Sequence, residues 1–363
     1  MNDLEFSYLS LDAPGNDELD AFARACPDGS AYHLAAWRRA VADAYGYPGQ
    51  ALVARRAGKL LGFLPLSAVN RPLGRPRWIS LPFCDLGGPL AASPQVSEAL
   101  AARARMDVGG ARANGLELRC SHEDALDEAA LAGRKVRMLL GLPESAAALM
   151  QSYPPKLRSQ VRKAEKNGLT SEVAEGASAV AAFYDVYSRN MRRLGSPPHS
   201  RAWFDAIHRH YSAAGDMLIV IVRHEGMAVG AGWVLLCGDK AVIPWASTLA
   251  DYNPLAPNML LYWTIQSQLC ERGVRQFDFG RSTYGEGTYK FKKQWGALPV
   301  ALDWREWDGQ GVALHAAPIA VPGAGGGGGI KSNLRPMIES AWQKLPLAVT
   351  NNLGPRLRRY ITL

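Results

Sequence analysis

The sequence predicts a mixed α+β fold built twice in tandem, each copy a mostly antiparallel sheet flanked by helices. Three pairs of matching segments carry that reading. Residues 33–45 and 199–211 share His33/His199, Ala36/Ala202, Trp37/Trp203, Ala40/Ala206 and Tyr45/Tyr211 at a constant offset of 166. Residues 55–62 and 223–230 share an Arg and two glycines at an offset of 168, between apolar runs. That pattern is the signature of strand, Gly-containing turn, strand. A looser third pair, Gly115–Ser121 and Gln276–Ser282, follows a helical stretch in each half (97–114 and 258–272). Matches in one order at nearly one spacing mean duplication of a whole domain rather than a solenoid.

Each copy then runs helix, hairpin, further strand, helix, strand, which is α+β architecture. In the second copy the apolar runs Met217–Val222, Ala231–Leu236 and Ala241–Ser247 are expected strands. A Pro-bearing loop, 251–257, is expected to set the start of a helix at Asn258, and Gln276–Gly280 is the next strand. The expected domains are 1–150 and 151–308, followed by a linker and tail, 309–363. Two segments stand outside the repeat. Residues 156–168 read as a basic helix closed by Gly168, with Arg158, Arg162 and Lys166 on one face and Lys163 beside them. The tail crosses the Gly325–Gly329 run, a flexible linker, into a segment rich in Trp, Leu and Arg. Its basic amphipathic character suits either peripheral contact with anionic lipid or docking on the protein's own core, and its prolines forbid one long helix.

Composition narrows the function classes. At 363 residues the chain can bury its cores without staples. Its 41 basic against 33 acidic residues favour an anionic ligand, such as a nucleotide, a CoA, a tRNA or a lipid phosphate. The five scattered cysteines form no CxxC, and the histidines form no HExxH, so no metal is expected. No Gly-x-Ser-x-Gly elbow exists and no Cys has an evident His partner, so no covalent intermediate is expected. The acidic N-terminus lacks a signal-peptide core, and no apolar stretch is long enough to span a bilayer. The expectation is a cytoplasmic protein, with the tail as a potential contact to the inner face of the membrane.

The chemistry concentrates in residues 277–296, where glycines, aromatics, three lysines, Arg281, Asp278 and Glu286 follow a predicted strand. Polar groups packed among aromatics in a loop suit a ligand pocket. Asp278 and Glu286 are candidates for a base or an amine-positioning acid, and Tyr289 for a donor to an oxyanion or leaving group. Arg281, Ser282, Lys290, Lys292, Lys293 and Trp295 are candidate substrate-binding groups, with Trp245 of the preceding strand. An Asp between two Phe also reads as structural, paired to a nearby Arg. Asn253 and Asn258 flank a helix N-terminus suited to an anion, although Asn258 reads equally as a plain cap. Arg158, Arg162, Lys163 and Lys166 are candidates for phosphate contact, against the default of a solvated helix face.

Asp278-Phe-Gly-Arg-Ser282, followed by Gly287-Thr-Tyr-Lys-Phe-Lys-Lys-Gln-Trp-Gly296, resembles the signature of FemAB-like proteins of the GNAT (acyl-CoA N-acyltransferase) superfamily. It is most similar to the group associated with PEP-CTERM/exosortase and exopolysaccharide loci. The basic helix, the segment Asn258–Trp263 and the tail resemble the same group, and the likeness covers roughly residues 5–308. The resemblance implies two tandem GNAT-like domains and transfer of an acyl or aminoacyl group to an amine of an envelope or polysaccharide precursor. It implies no tightly bound cofactor. FemAB ligases proper use aminoacyl-tRNA and a peptidoglycan precursor, but this second domain has no long coiled-coil arm. It also lacks the Gln/Arg-x-x-Gly-x-Gly/Ala pyrophosphate loop of ordinary acetyl-CoA enzymes. The donor therefore stays open between acyl-CoA and aminoacyl-tRNA, the tRNA being the less favoured. A non-catalytic GNAT-like binding protein for a lipid-linked saccharide, and an RNA-binding module, are the alternative classes. The first copy lacks the Gly/Lys-rich stretch, which assigns the chemistry to the second and leaves the first as scaffold and pocket wall.

Overall fold

A computed structural model of the chain describes residues 3–70, 74–110, 113–122, 126–314 and 331–362. The Gly325–Gly329 run lies outside the described residues. The first copy comprises β1 (Glu5–Ser10), α1 (Asn16–Ala25), α2 (Ala35–Tyr45), β2 (Gly49–Arg56), β3 (Lys59–Val69), β4 (Arg77–Ile79), the short β5 (Leu90–Ala91), α3 (Pro94–Gly110), β6 (Gly115–Ser121), α4 (Glu128–Leu131) and β7 (Lys135–Gly141). Helices α5 (Ala146–Ser152) and α6 (Pro155–Lys166) link it to the second copy. That copy repeats the order: β8 (Leu169–Ala174), α7 (Gly176–Arg193), α8 (Arg201–Ser212), β9 (Met217–His224), β10 (Met227–Cys237), β11 (Lys240–Thr248), α9 (Pro257–Glu271), β12 (Gln276–Thr283), α10 (Gly287–Lys293) and β13 (Leu298–Asp308). The tail adds β14 (Ala313–Leu314), α11 (Lys331–Lys344) and α12 (Leu347–Arg358). The mixed α+β tandem architecture is as the repeat predicts.

The matched hairpins share one mechanism. Ala57 and Gly58 (φ 48° and 77°) turn β2 into β3, and Glu225 and Gly226 (φ 49° and 82°) turn β9 into β10. Positive φ at both central residues is what a two-residue turn needs to match the strand twist. In each copy the shared arginine ties the turn: Arg55 Nη1 donates to the Gly58 carbonyl at 2.9 Å, and Arg223 Nη1 to the Gly226 carbonyl at 3.1 Å.

The copies exchange their last strands. The sheet order is β1-β2-β3-β4-β6-β13-β7-β12-β11-β10-β9-β8. Strand β7 of the first copy thus pairs antiparallel with β12 of the second, while β13 of the second pairs with β6 of the first. The exchanged strands meet each other at Leu298–Ala301 against Val136–Leu139. Each half-sheet is therefore completed by a strand from the other copy.

The residues shared by the two copies build the interface between them. Trp37 and Trp203, on α2 and α8, meet edge to face at 5.2 Å and are fully buried. The Tyr211 hydroxyl donates to the Ala31 carbonyl at 2.7 Å, and the Tyr45 hydroxyl reciprocally bonds His199 Nδ1. His33 is also buried, with Ser30 N–H donating to its Nδ1 at 3.2 Å and Nε2 against the Gly88 carbonyl at 3.1 Å. A solitary helix pair could not bury these rings, so the duplication supplies each copy with its partner surface. The other face of each half-sheet has its own core, under α3 in the first copy and under α9 in the second.

The tail docks on the protein. Trp342 and Thr350 are buried, and Gln343 Nε2 donates to the Arg193 carbonyl at the end of α7 at 3.0 Å. Beyond α12 the chain enters the first copy. The Tyr47 hydroxyl donates to the Arg359 carbonyl at 2.7 Å, while Phe83 N–H (2.7 Å) and Arg119 Nη1 (2.8 Å) donate to the Thr362 carbonyl. Of the two expected roles for the tail, docking on its own core is the one the contacts carry. Pro346 stands between the two helices, while Pro336 and Pro355 lie inside them, so only one of the three prolines divides the segment. Among the described residues no helix is long and apolar enough to cross a membrane.

Candidate active site

The second half-sheet opens where β11 and β12 part. They are the parallel neighbours, and their ladder runs only from Lys240↔Gln276 to Val242↔Asp278. Just beyond, both strands bulge. On β11, Ile243 and Pro244 oppose the single residue Val234 of β10, and on β12, Phe279 and Gly280 oppose Met138 of β7. Pro244 has no N–H to continue a ladder, and Gly280 takes φ 72°, a left-handed conformation that other residues enter at a cost. The result is a wedge between two strands.

Bulging leaves backbone carbonyls without ladder partners, and buried carbonyls need donors. Lys292 supplies them: its Nζ donates to the carbonyls of Gly280 at 2.9 Å and Arg281 at 2.8 Å. Burial pushes the Lys292 ammonium down to about 8, opposed by the nearby carboxylates of Asp278 and Asp85. Asp278 braces the same bulge. Its Oδ1 accepts from Gly280 N–H at 2.8 Å and its Oδ2 from Arg137 Nε at 2.9 Å. Both carboxylate oxygens are thus engaged, and the structural alternative for this residue, pairing to a nearby Arg, is what the geometry supports. Gly280→Ala should cost about 1–2 kcal/mol, the usual strain of a left-handed Cβ. The added Cβ meets only the Ile243 carbonyl at an ordinary 3.5 Å, so chemical denaturation would report the strain alone.

In front of the wedge, between the copies, lies a cavity of about 160 Å³. The second copy contributes Pro244, Trp245, Arg281, Tyr187 and Met191, the first copy Tyr32 and Phe83–Asp85, and the tail Arg358. Trp245 is held by stacking on Trp37 at 6.0 Å. Arg281 sets its Nε 3.3 Å from Asp85 Oδ1 and its guanidinium 5.7 Å from the Trp304 ring, on the exchanged strand β13. Asp85 is fixed through its backbone, whose carbonyl accepts from Trp304 Nε1 at 3.1 Å.

Of the residues singled out from sequence, the cavity brings together Trp245 and Arg281. Asp278, Ser282 and Lys292 are buried on or against the wedge. The stretch expected as a loop is the short helix α10, and this redistributes its side chains. Tyr289 is turned inward against Tyr284, with ring centroids 4.6 Å apart, while Glu286, Lys290 and Lys293 are exposed. Trp295 is a core residue, 1% exposed and packed edge to face on Tyr153 at 5.4 Å, so it lines no pocket. Asn253 is exposed in a 3-10 turn, Ala250–Leu255. Asn258 lies inside the first turn of α9, whose cap is Ala256 at φ 65°, so neither asparagine caps the helix. On α6, Leu157, Val161 and Ala164 face the core while Arg162, Lys163 and Lys166 are exposed. Arg158 is occupied with its own chain, Nη1 donating to the carbonyls of Tyr153 at 3.0 Å and Gln151 at 3.3 Å at the end of α5.

Sequence reasoning missed Tyr32, Asp85, Tyr187 and Arg358. Asp85 carried a usable signal, an acid set among the apolar and glycine residues of Leu81–Gly88. Among the described residues no group of three or more His, Cys, Asp or Glu is placed to hold a metal ion.

The profile of the acetyltransferase (GNAT) domain family matches residues 153–293, which span the second copy from the end of α5 through α10. No curated protein matches the sequence. Among solved structures, FemX superposes with a TM-score of 0.65 at 15% identity, over 84% of this chain and 97% of its own. The C-terminal domain of a putative lysylphosphatidylglycerol synthetase from Agrobacterium fabrum gives 0.51 at 16% identity, over 79% of this chain and 91% of its own. A tandem GNAT protein from the clavulanic acid biosynthesis pathway gives 0.50 at 14%, over 84% and 98%. Residues 153–293 thus match the acetyltransferase (GNAT) domain family, and the chain as a whole shares the tandem, FemAB-like GNAT fold seen in FemX.

Proposed function

We propose that this protein is an N-acyltransferase or aminoacyltransferase that joins an acyl or aminoacyl group to an amine at the wedge between β11 and β12. The observation that carries the reading is the pair of facing bulges at Ile243–Pro244 and Phe279–Gly280, opening onto a cavity walled by Trp245, Arg281 and Asp85. The amine nitrogen bonds to the carbonyl carbon of a thioester or ester, the C–S or C–O bond breaks, the leaving sulfur or oxygen takes up a proton, and the amine gives one up. Such a reaction needs alignment, a proton acceptor and a donor to the oxyanion rather than a nucleophilic side chain. In this reading Asp278 and Lys292 hold the wedge in shape, Asp85 faces the attacking amine, and Arg281 with Trp245 positions the reacting ends. The phosphates of an acyl-CoA or aminoacyl-tRNA donor lie at the N-terminus of α9, which has no side-chain cap. Lys163 and Lys166 of α6 are close by, because Asn167 Nδ2 donates to the Leu255 carbonyl just before that helix. The acceptor is an amine-bearing envelope or polysaccharide precursor handled in the cytoplasm; this rests on the resemblance to FemAB-like proteins.

Thermal unfolding in the presence of acyl-CoAs, free CoA or aminoacyl-tRNA tests the donor. A ligand at 100 times its Kd that binds only the folded protein should add about 2.7 kcal/mol. A shift with an acyl-CoA that Arg281→Ala diminishes assigns a thioester donor, and a shift with aminoacyl-tRNA alone assigns an ester donor. No shift with either would leave the non-catalytic binding protein as the better reading.

A further inference from the structure

We infer that the inter-copy cavity admits an amine that also carries a carboxylate, and that the C-terminal tail supplies the residue that recognises it, Arg358. This deepens the transferase reading above and rests on it for the role of the amine. Arg358 ends α12 and reaches into the cavity. Its Nε is oriented by His199 Nε2 at 3.2 Å, and the other nitrogen of that imidazole is engaged by the Tyr45 hydroxyl. Among the described residues Arg358 has no carboxylate partner, whereas Arg281 in the same cavity has Asp85. A guanidinium carried into a confined, aromatic-walled space without an acid of its own is costly unless an anion joins it there. Guanidinium geometry suits a carboxylate, which it binds through two parallel hydrogen bonds. Asp85, which also lines the cavity and contacts Arg281 through Oδ1, is the one carboxylate there that an ammonium could approach. Two guanidiniums against one carboxylate leave the cavity of about 160 Å³ a surplus positive charge that suits a carboxylate, and joined to the amine of the transferase reading this describes an aminocarboxylate or the aminocarboxylate end of a larger acceptor.

The placement also gives the docked tail a purpose. The Thr362 carbonyl is held by Phe83 N–H and Arg119, and Phe83–Asp85 line the cavity, so the contacts that hold the segment after α12 also hold the cavity wall that Phe83–Asp85 form. The cavity is incomplete without residues from both copies and the tail.

Calorimetric titration of the full-length protein with glycine, β-alanine, 4-aminobutanoate and 5-aminopentanoate tests the inference, with n-pentylamine and pentanoate as controls lacking one charge each. At least one aminocarboxylate should bind more tightly than both controls. Arg358→Gln should weaken it at least tenfold, the equivalent of about 1.4 kcal/mol. Arg356→Gln, an exposed neighbour on the same helix, should leave it unchanged. If no aminocarboxylate binds, if pentylamine binds as well as the zwitterion, or if folded Arg358→Gln binds like the wild type, the inference is overturned. Since the titration contains no donor, binding there combined with no amide formed once an acyl-CoA or aminoacyl-tRNA is added would count against the transferase reading alone. Transfer to amines that does not depend on Arg358 would count against this inference alone.

Discussion

Arg137→Met should lower the unfolding free energy by about 3–5 kcal/mol, the usual cost of leaving one member of a buried ion pair without its partner. Arg137 belongs to the first copy and Asp278 to the second, and their contact exists because β7 has crossed into the other half-sheet. Both side chains are nearly enclosed, at 13% and 9% exposure, so water cannot replace the missing guanidinium. The Gly280 N–H would still hold Asp278 Oδ1, leaving Oδ2 as the orphan. Arg137→Met together with Asp278→Leu should recover much of the loss, because removing both charges removes the uncompensated one. Urea unfolding of the two variants beside the wild type makes the comparison. A loss under 1 kcal/mol for Arg137→Met would mean that the pair does not brace the exchanged strand.

Acid should weaken the protein through its two buried interface histidines. Burial pushes the His33 imidazole down to about 4 and that of His199 well below its ordinary value, the latter helped by the Arg358 guanidinium. Between the ordinary value of 6.5 and about 4, the unfolded chain holds a proton on His33 that the folded chain refuses. Stability therefore rises with pH across that window and falls as pH drops through it. The shift corresponds to about 3 kcal/mol for His33 by pH 4, and His199 adds to it in the same direction. Denaturation midpoints at pH 7.5, 6.5, 5.5 and 4.5 should decline steadily below 6.5. His33→Gln keeps an acceptor for Ser30 N–H and should flatten part of that decline. An unchanged slope in the variant would place the acid sensitivity elsewhere.

Duplication was legible in the sequence because the repeated residues do the same physical work twice. Trp37 and Trp203 bury against each other, and Gly58 and Gly226 turn equivalent hairpins, so both copies keep the same letters. Strand exchange leaves no such trace. An alternation of apolar residues says that Val136, Met138 and Leu140 form a buried strand face, but not whose sheet receives it. Helix α10 was hidden by its length of seven residues and by the glycines before it, which read as loop. Placing 277–296 in a loop made Trp295 look like a pocket wall and Lys292 like a ligand group, when the first fills the core and the second satisfies carbonyls freed by a bulge. Trp245 and Arg281 were legible because both lie in the second copy, Arg281 within the stretch where polar and aromatic residues concentrate. Asp85 and Arg358 belong to other parts of the chain, and although Asp85 stands out among its apolar neighbours, only the tertiary fold brings the two to the same cavity.

The most direct test of transfer at the wedge is to incubate the full-length protein with an acyl-CoA or an aminoacyl-tRNA and a panel of amines, and to measure amide product by mass spectrometry. The account predicts amide formed in excess of the uncatalysed rate from one donor class, reduced at least tenfold by Arg281→Ala and by Trp245→Ala in folded protein. Product formed at undiminished rate by both variants, or no product from either donor class with any amine, would contradict it.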